Sequence, residues 1–513
     1  MSLAVLSDEV IRELLETLSH DEAEGFAHTL KCALHDYSTG TQSIDAGLIH
    51  QPKRTSVTSN ATGATTLFMP SCSPVGHGVK ANVSWTYAVV TVSSPHADPS
   101  LPTIKPTGSV TLYSPSGSPL GFLHAQTLTA FRTALASSCL LTKRASVRTI
   151  TVFGSGLQAY WHIRLALMLR GRTIRTVNII NRRFSDNAKT ILKQFYAVPA
   201  AVKQREGWTE AQFSMLTPTY GEYSRLQKEH IREADVIYCC TPSTEALFDA
   251  SILTSHEGRR KGRLIVAVGS YTTDMRELPR ELLLQATKQH AAGHMHYHKH
   301  ATEGGVIVVD TLDGALKEAG EIIDAELEPK QLVELGELVM IHKLREDEDS
   351  ATDGSSAISN SFDKLDLSSS GPGPAMSTVF GGNNSSTDAS SHPKRSSSRS
   401  PSRPKSSSSR KGSFHLPSLR RGSASSQGSS ADNHRPHKDK AQQQKRDDHL
   451  ARWLSSGNVI YKSVGLGLVD LVVGLEVVRL ARERGVGSHV ENFSSSTPES
   501  LSSYSESSVS AAP

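Results

Sequence analysis

Cysteine is scarce, five in 513 residues. Cys32, Cys72, Cys139, Cys239 and Cys240 follow neither a metal-ligand spacing nor a disulfide-like framework, which excludes a stapled secreted scaffold and a zinc ribbon. The neighbours Cys239 and Cys240 end the β-like run Val236-Ile237-Tyr238, and a buried strand accounts for them without redox chemistry. Long apolar runs are also missing: none approaches the roughly 20 residues of a membrane span. Residues 1–30 lack a basic start followed by an apolar core, so the expected setting is cytoplasmic, with no transmembrane segment. Aromatics make up only 6% of the chain and are not interleaved with its basic stretch, which argues against specific nucleic-acid reading. Nor does one sign of charge dominate, with 55 Lys and Arg against 51 Asp and Glu.

What is present is unevenly spread. The chain is 37% hydrophobic, enough for a sizeable core, yet about a third of residues 351–430 are serine. Such a stretch buries too little apolar surface to offset its ordering entropy. Residues 391–450 hold 14 Lys or Arg and 4 Asp, a net of +10, which leaves the rest of the chain at about −6. The basic character therefore belongs to a disordered Ser/Arg-rich insert, expected over 346–452, with a second disordered tail over 493–513. Arg399-Ser400-Pro401, Arg410-Lys411-Gly412-Ser413 and Arg420-Arg421-Gly422-Ser423 present possible kinase sites within it.

The folded part is organised around residues 149–169. The β-branched run Thr149-Ile150-Thr151-Val152-Phe153 breaks into Gly154-Ser155-Gly156-Leu157-Gln158-Ala159 and passes into apolar residues of helical period. That is the strand, tight turn and helix of a dinucleotide-binding unit, in which the first glycine permits the turn and the second admits a pyrophosphate to the helix N-terminus. A second strand, 174–180, ends on Asn181-Arg182-Arg183. An acid there accepts from a ribose 2′-hydroxyl, whereas arginines without a carboxylate suit a 2′-phosphate, so NADP(H) is expected with NAD(H) as the alternative.

Around this unit, residues 3–37 read as two helices. From Thr58 come short β-like pieces, including 65–70, 78–83 and 109–113, followed by a helix over 128–136. Strands at 234–242, 264–270 and 306–310 continue the βα alternation, and their C-terminal ends should bring Thr241, Ser270 and Tyr271 to a ligand crevice. The histidine-rich run 290–300 lacks the ligand spacing of a metal site and reads as a solvated loop. Structure is expected to resume at 457–465, followed by a helix to about Arg484.

Several motifs together resemble the ornithine cyclodeaminase/mu-crystallin family: Met69-Pro70, Lys80, the run 128–134, Gly154-Ser155-Gly156-Leu157-Gln158-Ala159, Val268-Gly269-Ser270 with Arg276-Glu277-Leu278, and Lys462-Ser463-Val464-Gly465 with Asp470. The resemblance implies an α/β fold: a Rossmann domain, placed at 129–345, and a discontinuous α+β substrate-binding and dimerisation domain made of 1–128 and 453–492. It also implies a homodimer. Arg54, Lys80 and Arg132 would grip the substrate carboxylate, Val464 would touch the substrate, and Lys80 and Tyr271 would stand at the reacting centre. The cofactor would meet Ser109, Arg132, Thr133, Gly154, Gly156, Leu157, Gln158, Asn181, Arg182, Arg183, Thr241, Val268, Gly269 and Ser463.

The departures from the family pattern are informative. Family cyclodeaminases carry a carboxylate where this chain has Leu67 and another where it has Tyr271. Deaminating ornithine needs a carboxylate to manage amine protons and departing ammonia. The expectation is therefore an NAD(P)H-dependent reductase of cyclic ketimines, giving cyclic amino acids such as proline or pipecolate. The rivals are an ornithine cyclodeaminase or related amino acid dehydrogenase, and a silent cofactor-binding scaffold acting through the insert.

Overall fold

The structure is a computed structural model that describes residues 2–40, 48–58, 65–84, 107–288, 304–339, 450–451, 453–491 and 493. Residues 346–449 of the insert, the histidine-rich run 290–300 and residues 494–513 lie outside these residues; Leu450 and Ala451, expected at the end of the insert, are instead helical, and Leu450 is buried in the core. The described residues belong to a single compact unit.

Six strands open the chain: β1 (Leu3–Leu6), β2 (Thr55–Thr58), β3 (Thr65–Ser73), β4 (Gly76–Ser84), β5 (Thr107–Tyr113) and β6 (Pro119–His124). Eight more follow: β7 (Thr149–Phe153), β8 (Thr176–Ile180), β9 (Gln212–Leu216), β10 (Val236–Cys239), β11 (Leu264–Ala267), β12 (Val306–Val309), β13 (Leu332–Glu334) and β14 (Val459–Lys462). A last strand, β15 (Ser488–Val490), returns to pair with β1. The first sheet runs β15-β1-β6-β5-β4-β3-β2 and is mostly antiparallel; the second runs β13-β12-β14-β11-β10-β7-β8-β9, with every adjacent pair parallel. The strands β10, β11, β12 and β14 are buried along their whole length. Continuous burial is what a parallel sheet covered on both faces requires of Val, Ile and Leu runs.

Helix α1 (Asp8–Glu16) begins at Ser7, whose hydroxyl accepts from Val10 N, with Asp8 and Glu9 in the first turn. Helix α2 (His20–Thr39) starts with a reciprocal capping box between Ser19 and Glu22. The helix expected from residue 3 therefore starts later. Leu3–Leu6 is a strand, because its backbone is taken up by β6 on one side and β15 on the other. Helix α3 (Ala125–Leu141) is buried except at Gln126 and Thr129. It touches β5, β11, the fingerprint helix α4 (Leu157–Arg170) and the C-terminal helix Gly467–Glu483. Its position between the two sheets makes it the floor of any site they share.

One domain boundary differs from expectation. Residues 453–492 do not all return to the substrate domain: β14 pairs with β11 and β12 in the middle of the parallel sheet, and only the C-terminal helix and β15 rejoin the first sheet. The insert thus separates two pieces of one sheet, rather than interrupting the path between domains. The apolar run Val459-Ile460-Tyr461 has the all-buried pattern of an interior parallel strand.

Candidate functional site

At the end of β7 the chain turns through Gly154 at φ +106, where a Cβ would meet the Cys240 carbonyl oxygen at 2.9 Å. Only glycine holds that position without strain. Beyond Gly156 the space is open, with nothing within 4 Å of where a Cβ would lie. Gly156 caps α4 without a side-chain hydrogen bond, so the first-turn N–H groups stay available to an anion. In that turn the buried Oε1 of Gln158 has no hydrogen-bond partner. The open space at Gly156 and the uncapped N–H groups fit the phosphates of a dinucleotide, whereas Gln158 Oε1 can only accept, as from a ribose hydroxyl. At the end of β8, Asn181 Nδ2 donates to the Arg183 carbonyl at 2.7 Å. Arg182 and Arg183 are exposed, with no ion pair among the described residues.

The next strand ends are tied together by a carboxylate the motif reading gave no role. Oε1 of Glu277 accepts from Thr241 N at 2.7 Å, and Oε2 accepts from Gly269 N at 2.7 Å and Ser270 N at 3.2 Å. Burial pushes the Glu277 carboxyl up to about 7, against the pull of Lys462 and these N–H groups. Glu321 accepts from Glu277 N at 3.0 Å and pairs with Lys462, whose Nζ also donates to the Ser270 carbonyl. On the other side of β14, Oδ2 of Asp310 gathers Ser463 Oγ at 2.9 Å, Val464 N at 3.1 Å and Gly465 N at 2.8 Å. Two buried acid-centred knots therefore set the loops after β10, β11 and β14. Thr241, Val268, Gly269 and Ser463 stand at those ends, as expected of residues lining a crevice.

Over the β14 turn lie the cations. Met69 of β3 and Lys80 of β4 are directly opposite one another, and Lys80 points into the interior, 2% exposed. Its Nζ lies 3.1 Å from Oδ1 of Asp470, in the first turn of the C-terminal helix. Arg132 Nε, from the middle of α3, reaches the same oxygen at 3.2 Å. Arg54 donates to the Val464 carbonyl at 3.1 Å and is ion-paired with Glu318. Burial lowers the Lys80 ammonium to about 8; Asp470 opposes that shift, while Arg132 and Arg54 add to it. Burial raises the Tyr271 phenol and the nearby Arg54 guanidinium opposes it. Arg54, Lys80, Arg132, Val464 and Tyr271 thus come together from five separate stretches of chain.

Two residues expected at the cofactor, Ser109 and Thr133, have the following positions. Ser109 neighbours Val110, the partner of Lys80 across β4 and β5, so its side chain leaves the opposite face of the sheet. The Thr133 hydroxyl is turned back onto the Thr129 carbonyl of its own helix at 2.8 Å. Leu67, two residues from Met69, shares the Lys80 face, and so does Asn82 opposite it. The signal that would have exposed Asp310 and Lys462 was their place at the ends of buried strands, where an ionisable group must find partners; Glu277 lies in the long loop after β11 and carries no such signal.

Residues 8–219 match the family model described as the ornithine cyclodeaminase/mu-crystallin family. An uncharacterized protein of Saccharomyces cerevisiae is 29% identical over 238 residues, 43% of this chain and 59% of that protein. An uncharacterized cyclodeaminase of Dictyostelium discoideum is 30% identical over 198 residues, 37% of this chain and 51% of that protein. The matched stretch thus spans little more than half the length of these relatives. Among solved structures, the Δ1-pyrroline-2-carboxylate reductase of Thermococcus litoralis, in complex with NADH and L-proline, is 16% identical. It superposes with a TM-score of 0.53, covering 95% of this chain and 100% of that one. This likeness establishes a shared fold.

Proposed function

We propose that this chain, whose residues 8–219 match the ornithine cyclodeaminase/mu-crystallin family model, is an NAD(P)H-dependent reductase of cyclic ketimines. The observation that carries this reading is the cation cluster at the crevice: Arg132 and Lys80 on one buried carboxylate, with Leu67 and Tyr271 where a deaminase needs acids. A bound reduced nicotinamide supplies hydride. The chain's own residues orient and shield. Arg132 and Arg54 hold a carboxylate so that the adjoining C=N carbon faces the loops after β11 and β14. A protonated imine is already electrophilic, so positioning and exclusion of water do most of what is required.

The test is a panel of pyrroline-2-carboxylate, piperideine-2-carboxylate and ornithine with both nucleotides. Reduction of the rings supports the reading. Proline and ammonia from ornithine with NAD, with the rings ignored, would replace it by the cyclodeaminase.

NADP(H) is the cofactor we favour, on the exposed Arg182 and Arg183 and the amide of Asn181. Replacing both arginines by alanine should move the NADPH-to-NADH preference towards NADH by about tenfold or more, from the loss of charge-assisted hydrogen bonds. An unchanged ratio places the 2′-phosphate elsewhere.

The Lys80 ammonium also sets a pH dependence. As pH rises through about 8, Lys80 loses its charge and the clamp loses a cation, so kcat/KM should fall on the alkaline side. Lys80→Arg keeps its charge and should carry that limb to higher pH, whereas a limb belonging to the substrate stays where it is.

A homodimer is the assembly we expect. On the outer face of the first sheet, Pro70, Val79, Thr111, Phe122 and Val5 stand in register across β3, β4, β5, β6 and β1. Val79, Phe122 and Val5 are 38%, 46% and 36% exposed. An apolar row of this kind is what a two-fold contact covers with its own copy. Light scattering should return twice the chain mass; a single-chain mass refutes the dimer.

A further inference from the structure

The Lys80–Arg132–Asp470 cluster has binding capacity beyond a carboxylate clamp, and what it recognises rests on the ketimine reading above. Oδ1 of Asp470 is occupied, at 3.1 Å by Lys80 and at 3.2 Å by Arg132 Nε. Oδ2 of the same carboxylate is buried without any hydrogen-bond partner. An anionic oxygen left so is destabilising unless a ligand satisfies it. Arg132 is in the complementary condition: its Nε is used, while NH1 and NH2 make no hydrogen bond among the described residues. Gly465 keeps that fork uncovered. Its φ is +94, and a Cβ there would lie 3.2 Å from NH2 and 3.6 Å from NH1.

A two-pronged donor and a lone anionic acceptor therefore stand beside each other. They complement a molecule carrying a carboxylate and an N–H on the same carbon. We infer that Asp470 recognises the ring nitrogen of the substrate: Oδ2 accepts the N–H of the protonated imine while the Arg132 fork holds the adjoining carboxylate. Leu67, on the Lys80 face of the first sheet, has nothing to offer that nitrogen. Tyr271 keeps its proton, since burial raises its phenol. Asp470 also selects chemical class. A 2-oxo acid of the same size turns an oxygen, not an N–H, towards Oδ2 and is repelled, so the site takes α-imino acids in preference to α-keto acids.

Calorimetry on the full chain holding reduced nucleotide tests this with three five-membered rings: proline, cyclopentanecarboxylate and tetrahydrofuran-2-carboxylate. Wild-type protein should bind proline at least about tenfold more tightly than the carbocycle, as expected for one hydrogen bond to a charged group, and the ether most weakly. In Asp470→Asn, the amide oxygen still accepts from Lys80 and Arg132, but an N–H donor replaces Oδ2. The preference for proline should vanish there, and turnover of pyrroline-2-carboxylate should fall at lower pH because the bound imine gives up its proton more readily. If the variant does not fold, the wild-type comparison decides alone. Wild-type protein that reduces ketimines yet binds the three rings equally overturns the role of Asp470 and leaves the ketimine reading standing; so does a variant that keeps the preference. Protein that neither reduces ketimines nor binds proline overturns both.

Discussion

Alanine at position 132 is expected to remove both ligand and stability. Arg132 is 5% exposed and shares Oδ1 of Asp470 with Lys80. Its loss deprives the substrate carboxylate of a fork, worth roughly 1.5–3 kcal/mol of binding. It also leaves Asp470 with one cation instead of two, and breaking a buried pair costs about 3 kcal/mol or more. The two effects are separable. Arg132→Lys restores a charge but not the planar fork, so it should recover more melting temperature than KM. Wild-type KM in Arg132→Ala would remove this residue from the site, whatever its melting temperature.

The second large effect is expected at Glu277, which touches no part of the crevice's open space. Replacing it by alanine strands three backbone N–H groups, those of Thr241, Gly269 and Ser270. At about 1–3 kcal/mol for each unsatisfied donor, a loss on the order of 3 kcal/mol or more is expected. The cofactor should bind more weakly as well, because the loops after β10 and β11 lose their common anchor. Gly269 shows how close those loops run: a Cβ there would lie 2.3 Å from Thr241 backbone atoms. The pH sign follows from the raised carboxyl. Its folded value of about 7 exceeds the ordinary 4.5, so its contribution to stability is present below pH 4.5 and is lost as pH rises towards 7. Glu277→Gln should lack that slope; parallel stability curves for the two proteins over this window would contradict the assignment.

The sequence was most legible where local chemistry decides the outcome. The fingerprint turn at Gly154 and the presence of β3, β4 and β5 could be read from glycine placement and β-branched runs, although each strand extends beyond the expected piece by one to three residues at one or both ends. The cations Arg54, Lys80 and Arg132 could be named only through the family resemblance, since no spacing in the chain brings 54, 80, 132 and 470 together. Partnership was the illegible part. That Lys80 and Arg132 meet on Asp470, or that Glu277 joins two loops, depends on how two sheets and α3 stack. Leu3–Leu6 was misread because four residues carry too little periodicity to outweigh a nearby helix cap. The placement of β14 was missed for the opposite reason: its buried pattern was clear, but its neighbours lie far away along the chain.

That strand also dictates an order of events during synthesis. When the ribosome has finished β12 and β13, their sheet has no centre: β11 and β12 both wait for Val459–Lys462, which emerges only after more than a hundred further residues. Closing so long a loop adds little entropy, because that penalty grows only logarithmically with length. The delay is a matter of time. A nascent chain holds two apolar, unpaired strand edges exposed until Val459–Lys462 is made, and this interval is when such a polypeptide is most prone to self-association and in greatest need of a chaperone.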